Sequence, residues 1–192
     1  MSGQVKLDGL EHYPKRTFRN RYTLMQSTGP LEMTVPVERR GGRPRPQDDT
    51  RRITGDDDRK AWQALKTAYG RAPFFEEMES ELHSLYQDGP EMLGGWNRAT
   101  IQWASSWLGI TIPGDVTAQE YSNTEAALVS PMWPSALNQT CTWTHVWQDR
   151  NAEIPFERLG ILDLLLHLGP ESALMIKPIL PSEFPRPESR PK

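Results

Sequence analysis

Lys15-Arg16-Thr17-Phe18-Arg19-Asn20-Arg21-Tyr22-Thr23-Leu24 is followed by Gly29-Pro30 and then by Leu31, Met33, Val35 and Val37 at every second position. Alternation with period two on either side of a polar turn predicts two short strands, the first beginning near Arg21. Four cations, an amide and two aromatics therefore sit at or just before a strand start. A guanidinium there is suited to a phosphate or carboxylate, because its planar fork donates two parallel hydrogen bonds and keeps its charge. The competing reading is a solvated basic edge, charged so that it does not pair with another sheet.

Residues 1–52 hold 11 Lys or Arg against 6 Asp or Glu, net +5, and the chain's total of -3 leaves -8 on residues 53–192. A basic quarter on an acidic body is not the broad positive face of a nucleic-acid binder, so no nucleic acid is expected as partner; it does suit a local anion site. The single cysteine, Cys141, excludes an intramolecular disulfide framework and fits a reducing compartment. With no secretory signal and no apolar run long enough to span a bilayer, the expectation is a cytoplasmic protein.

Beyond Val37, Arg39 to Arg52 is rich in Gly, Pro and charge and reads as a long mobile loop. Asp56-Asp57-Asp58 then supply first-turn acids for a helix 58–69 with Trp62, Leu65 and Tyr69 on one stripe. A second helix, 74–87, turns Phe75, Met78, Leu82 and Leu85 inward. A third, 91–108, places Trp96, Trp103 and Trp107 at i, i+7 and i+11, a spacing read as core before any stacking platform. Thr142 to Trp147 alternates like a strand, and 158–168 is the most apolar helix. The fold class expected is α/β or α+β: a small mixed β-sheet packed with about four helices in one domain, 1–176. Five prolines in the 16 residues 177–192 predict a disordered tail.

Three sets of residues suit chemistry. Arg16, Arg19, Asn20 and Arg21 lie just after His12, whose imidazole, kept neutral by nearby cations, is a candidate general base. Lys66, Tyr69 and Arg71 form a second set. Asp163 is a carboxylate inside an apolar helix, so it must find partners; His167 is one turn on and Glu171 follows the Gly169-Pro170 stop. A structural clamp between Asp163 and an arginine remains the alternative to a catalytic role. Phosphate-loop glycines, a nucleophile elbow, zinc spacing and a dinucleotide fingerprint are all missing, so neither cofactor nor metal is identified.

The segments Glu11 to Arg21 (EHYPKRTFRNR), Leu31 to Val37 (LEMTVPV), Trp62 to Phe75 (WQALKTAYGRAPFF) and Ile154 to Ser172 (IPFERLGILDLLLHLGPES) together resemble the WbqC-like family, bacterial proteins associated with surface-polysaccharide and O-antigen (lipopolysaccharide) synthesis. The resemblance covers about residues 10–175. It implies a group transferase acting on a nucleotide-activated amino sugar in the cytoplasm, with the arginines gripping a diphosphate and His12 or Asp163 handling a proton. It also leaves open a non-catalytic partner of polysaccharide-biosynthesis enzymes, or an inactive truncated member. Family members usually carry a further strand ahead of the Arg-Asn-Arg run; Met1 to Leu10 stands in its place, which implies a sheet short of one strand.

Overall fold

The computed structural model of the protein describes residues 19–38, 46–110, 143–147 and 159–176. The expectations for 1–18, the first half of the loop 39–52, Cys141 and the tail 177–192 fall outside these residues.

The quoted stretch does form a hairpin. Strands β1 (Arg21–Gln26) and β2 (Gly29–Thr34) pair antiparallel, with Tyr22 opposite Met33 and Leu24 opposite Leu31. The turn is Ser27-Thr28, and Gly29, at φ 120°, takes the left-handed corner that opens β2. Leu24 and Met25 are both buried although they point to opposite faces, so β1 is enclosed on both sides, whereas β2 alternates between half-buried and exposed. Among the described residues the sheet has these two strands, and the class is mixed α and β.

Helices α1 (Asp56–Tyr69), α2 (Phe75–Asp88), α3 (Leu93–Leu108) and α4 (Ile161–Leu168) pack over the hairpin, and a turn at Gly169–Glu171 leads into the short α5 (Ser172–Ile176). The stripes read from the sequence are the buried ones: Trp62, Leu65 and Tyr69 of α1, and Phe75, Met78 and Leu82 of α2. Tyr86 takes the fully inward place given to Leu85, which is half-buried. These side chains, with Leu24, Leu165 and Leu166, form the main core.

Two expectations are corrected by backbone pairing. The end of the loop 39–52 is not a solvated connector, because Arg52 bridges to Val37, Arg51 bridges to Met92, and Arg52 is 3% exposed. That burial is possible because Asp58 Oδ1 lies 2.6 Å from Arg52 Nη2, Pro90 O accepts from Nη1 at 2.9 Å, and the guanidinium sits 4.7 Å over the Trp96 ring. The same pairing uses the Glu91 carbonyl and the Leu93 amide, so α3 begins at Leu93, not Glu91. Residues 143–147 form no strand and turn at Val146-Trp147, because their polar groups bond to helices and a side-chain cluster instead of a ladder. Helix α4 likewise starts at Ile161 and not at 158, with extended Gly160 ahead of it.

Candidate functional site around Asp163

Asp163 sits in the first turn of α4 within the sequence Ile-Leu-Asp-Leu-Leu-Leu-His-Leu and is 1% exposed. A carboxylate so enclosed is tolerated where donors replace the lost water. Its Oδ2 accepts the Tyr69 hydroxyl at 2.6 Å and lies 3.1 Å from His145 Nε2. Its Oδ1 accepts the Trp143 indole N–H at 2.9 Å and lies 3.3 Å from His167 Nδ1. The two imidazoles face each other with centroids 4.2 Å apart, and Tyr69 meets both edge to face. Tyr69, His145 and His167 are all buried.

The backbone around the histidines assigns their protons. The Trp147 amide donates to His145 Nδ1 at 3.2 Å, so the ring proton is on Nε2 and points at Asp163. The Val146 amide donates to His167 Nε2 at 3.3 Å, so this ring carries its proton on Nδ1, which donates to the Asp163 carbonyl at 2.7 Å. The Asp163 carboxylate is thus held by Tyr69, Trp143 and His145. Burial alone pushes the Asp163 carboxyl up; the hydrogen bonds from His145 and His167, and attraction to them, reverse this and hold it well below the usual carboxylate range. Burial, and then the Asp163 charge, push the Tyr69 hydroxyl far above its usual value, so it remains a donor at any physiological pH.

His145, Asp163 and His167 offer ligand atoms within 4.8 Å of one another, a grouping of the kind that holds a divalent cation. The hydrogen-bond polarity is the reverse of what a cation needs. A ligating imidazole gives one nitrogen's lone pair to the metal and donates a proton from the other. Here the outward nitrogens accept amide protons and the inward ones are protonated, so the arrangement fits an acid–imidazole network and not a metal centre.

Of the residues singled out from the sequence, Tyr69, Asp163 and His167 meet. The others are placed elsewhere. Asn20 is buried, with its Nδ2 donating to the Val35 carbonyl at 3.0 Å and its own carbonyl accepting the Val35 amide, so it fastens the end of the hairpin. The Arg19 carbonyl accepts from Asn97 Nδ2 at 2.9 Å, and Arg21 is exposed at the start of β1. Met25, whose amide donates to the Tyr69 hydroxyl, lies four residues along β1, about 13 Å at the usual rise of a strand. Lys66 pairs with Glu79 at 2.7 Å on the surface, and Arg71 and Glu171 are exposed. His12 and Arg16 lie outside the described residues.

Trp143 and His145 were not legible as site residues, since alternation across 142–147 reads as a strand. The one available signal was indirect: a carboxylate in an apolar helix demands donors, without saying which. His167 was visible as a neighbour of Asp163 on α4, but its role in fixing 143–147 was not.

The sequence profile of the WbqC-like protein family matches residues 5–158. The chain belongs to the WbqC-like protein family. No curated protein and no solved structure matches it. The stretch shared with the WbqC-like profile includes the basic run, the hairpin, α1 to α3 and residues 143–147, hence Tyr69, Trp143 and His145; it ends before α4, which supplies Asp163 and His167. No helix among the described residues of this WbqC-like protein is long and apolar enough to cross a membrane.

Proposed function

We propose that this WbqC-like protein is a group transferase acting on a nucleotide-activated amino sugar in surface-polysaccharide biosynthesis. Arg16, Arg19 and Arg21 hold the diphosphate, as planar charged forks do for phosphate oxygens. Asn20 fastens the strand end that presents them, and Lys66, Arg71 and Glu171 are the polar groups the sugar would meet. Transfer onto an amine requires a base for the departing proton, and His12, followed by the basic run, is the residue suited to accept it. Asp163 is the second group suited to handle that proton, through the Tyr69 hydroxyl bonded to it.

The observation that carries this reading is the Tyr69 hydroxyl, which bonds both Asp163 and the backbone of the strand that begins at Arg21. UDP- and dTDP-sugars are expected to raise the melting temperature, and Arg19→Ala to remove the shift. No shift with any sugar nucleotide would count against the proposal.

The near-complete burial of Asp163, His145 and His167 favours a second reading, in which the cluster is a structural staple and the protein a non-catalytic partner of polysaccharide-biosynthesis enzymes. Purified complexes would then contain such an enzyme, while the chain alone binds no sugar nucleotide.

A further inference from the structure

On the side of α3 that faces α2, the indole N–H groups of Trp103 and Trp107 both donate to one oxygen of Glu81, Oε2, each at 2.9 Å. That oxygen has both acceptor positions filled and the carboxylate is held in place. The other oxygen, Oε1, has no partner among the described residues, and no cation among them pairs with Glu81. The carboxylate borders an open groove of about 520 Å³, lined also by Ser106, Trp107, Leu108, Gly109 and Pro170. Ser106 spends its proton on the Trp103 carbonyl at 2.7 Å, so toward the groove its oxygen is an acceptor. Pro170 lies in the turn Gly169–Glu171 that follows α4, so the groove opens near the C-terminal end of the helix that carries Asp163.

Those fixed polar side-chain groups, the Glu81 carboxylate and the Ser106 hydroxyl, are acceptors, and the rest of the lining is indole and aliphatic. A ligand that complements the groove must bring several donors on an apolar face, and an anion is repelled by Glu81. A pyranose has that chemistry, with hydroxyl donors around its rim and C–H groups on its faces, whereas a nucleotide phosphate does not. We propose that the Glu81/Trp107 groove is a saccharide-binding site, with sugars bearing an ammonium group held more tightly than neutral ones because Glu81 lacks a cation partner. In the transfer proposed above it would seat the amino-sugar ring, with the diphosphate held elsewhere by the arginines, and that role alone rests on the earlier reading.

The indole N–H signals of Trp103 and Trp107 are direct probes, since both bonds end on Glu81. Nitrogen-edited NMR titrations of the full chain without any nucleotide would use methyl glucoside, glucosamine in its ammonium form, and n-propylammonium. Both indole signals are expected to move saturably with the two sugars, glucosamine binding about fivefold more tightly through its charge-assisted bond, and to stay put with n-propylammonium. Glu81→Gln, which keeps an acceptor for the indoles, should erase the preference for glucosamine while methyl glucoside still binds. Indole signals unmoved by either sugar, or moved equally by n-propylammonium, would overturn the assignment. Because nucleotide is absent throughout, a failed sugar-nucleotide shift leaves this result intact, and the reverse also holds.

Discussion

The Tyr69 hydroxyl donates to Asp163 Oδ2 at 2.6 Å while accepting the Met25 amide at 2.9 Å, so one buried oxygen on α1 joins β1, 44 residues before it, to α4, 94 residues after it. Neither partner has water to replace it, since Tyr69, Met25 and Asp163 are all at or below 1% exposure. Tyr69→Phe keeps the ring and removes both bonds, leaving a strand amide and a carboxylate under-satisfied. The expected loss is about 2 kcal/mol, seen as a melting temperature lower by about 6 °C in calorimetry. A melting temperature equal to the parent's would mean that other donors already satisfy Asp163.

Acid stability tests the charge on Asp163. Its folded carboxyl is held below the usual range, so its contribution is complete above the ordinary value near 4 and drains away as pH falls toward the folded one. Asp163→Asn brings N–H donors toward Tyr69, Trp143 or His145, and is expected to be less stable at pH 7 by about 2–4 kcal/mol. Its stability should nevertheless fall less steeply than the parent's below about pH 4. Urea midpoints measured for both proteins across that range compare the slopes; parallel slopes would refute an ionised Asp163.

Arg52 and Asp58 make a second buried pair, with side chains 1% and 9% exposed. Burial lowers the Arg52 pKa and the Asp58 carboxylate opposes the shift, so the cation is retained at the junction of hairpin, loop and α3. Arg52→Met would strand Asp58 beside an apolar chain and is expected to cost about 3–5 kcal/mol. Arg52→Met combined with Asp58→Leu should recover most of that loss. Denaturant titrations of the two single variants and the double variant yield the coupling, and simple additivity would show that the pair is incidental.

The legibility of these features follows their range along the chain. The hairpin and the stripes of α1 and α2 could be read because their signal is local, carried by period two and period 3.6 within single segments. Arg52 looked like one charge among many in a Gly/Pro-rich loop, and its burial depended on Asp58, Pro90 and Trp96, which no window of sequence places beside it. Residues 143–147 misled for a related reason. Their alternation is real, but their donors are taken up by His145, His167, Met25 and Ala68, contacts that span up to 122 residues. Asp163 itself was legible, since an acid in an apolar helix is conspicuous in composition alone.

Tyrosine ionisation separates the enclosed phenols from ordinary ones. Tyr22 and Tyr86 share a 2.9 Å hydrogen bond beneath Arg52 and Asp58. Burial, the largest influence, pushes Tyr22 up to about 12, with the bond to Tyr86 opposing it; burial and then Tyr22 push Tyr86 well above its usual value. Tyr69 is raised as well, so at least three of the five tyrosines resist ionisation in the folded chain. A phenol whose folded value is raised stabilises fully below the unfolded value near 10, and that contribution is lost as pH climbs toward about 12. Phenolate absorbance should therefore rise in two stages, the second coinciding with loss of helical circular dichroism. Tyr22→Phe is expected to cost about 1 kcal/mol at neutral pH and yet to lose stability less steeply above about pH 10, because one ionisation that favours the unfolded chain is gone. A single ionisation step near the ordinary tyrosine value, complete before any helix is lost, would contradict the enclosed Tyr22–Tyr86 pair.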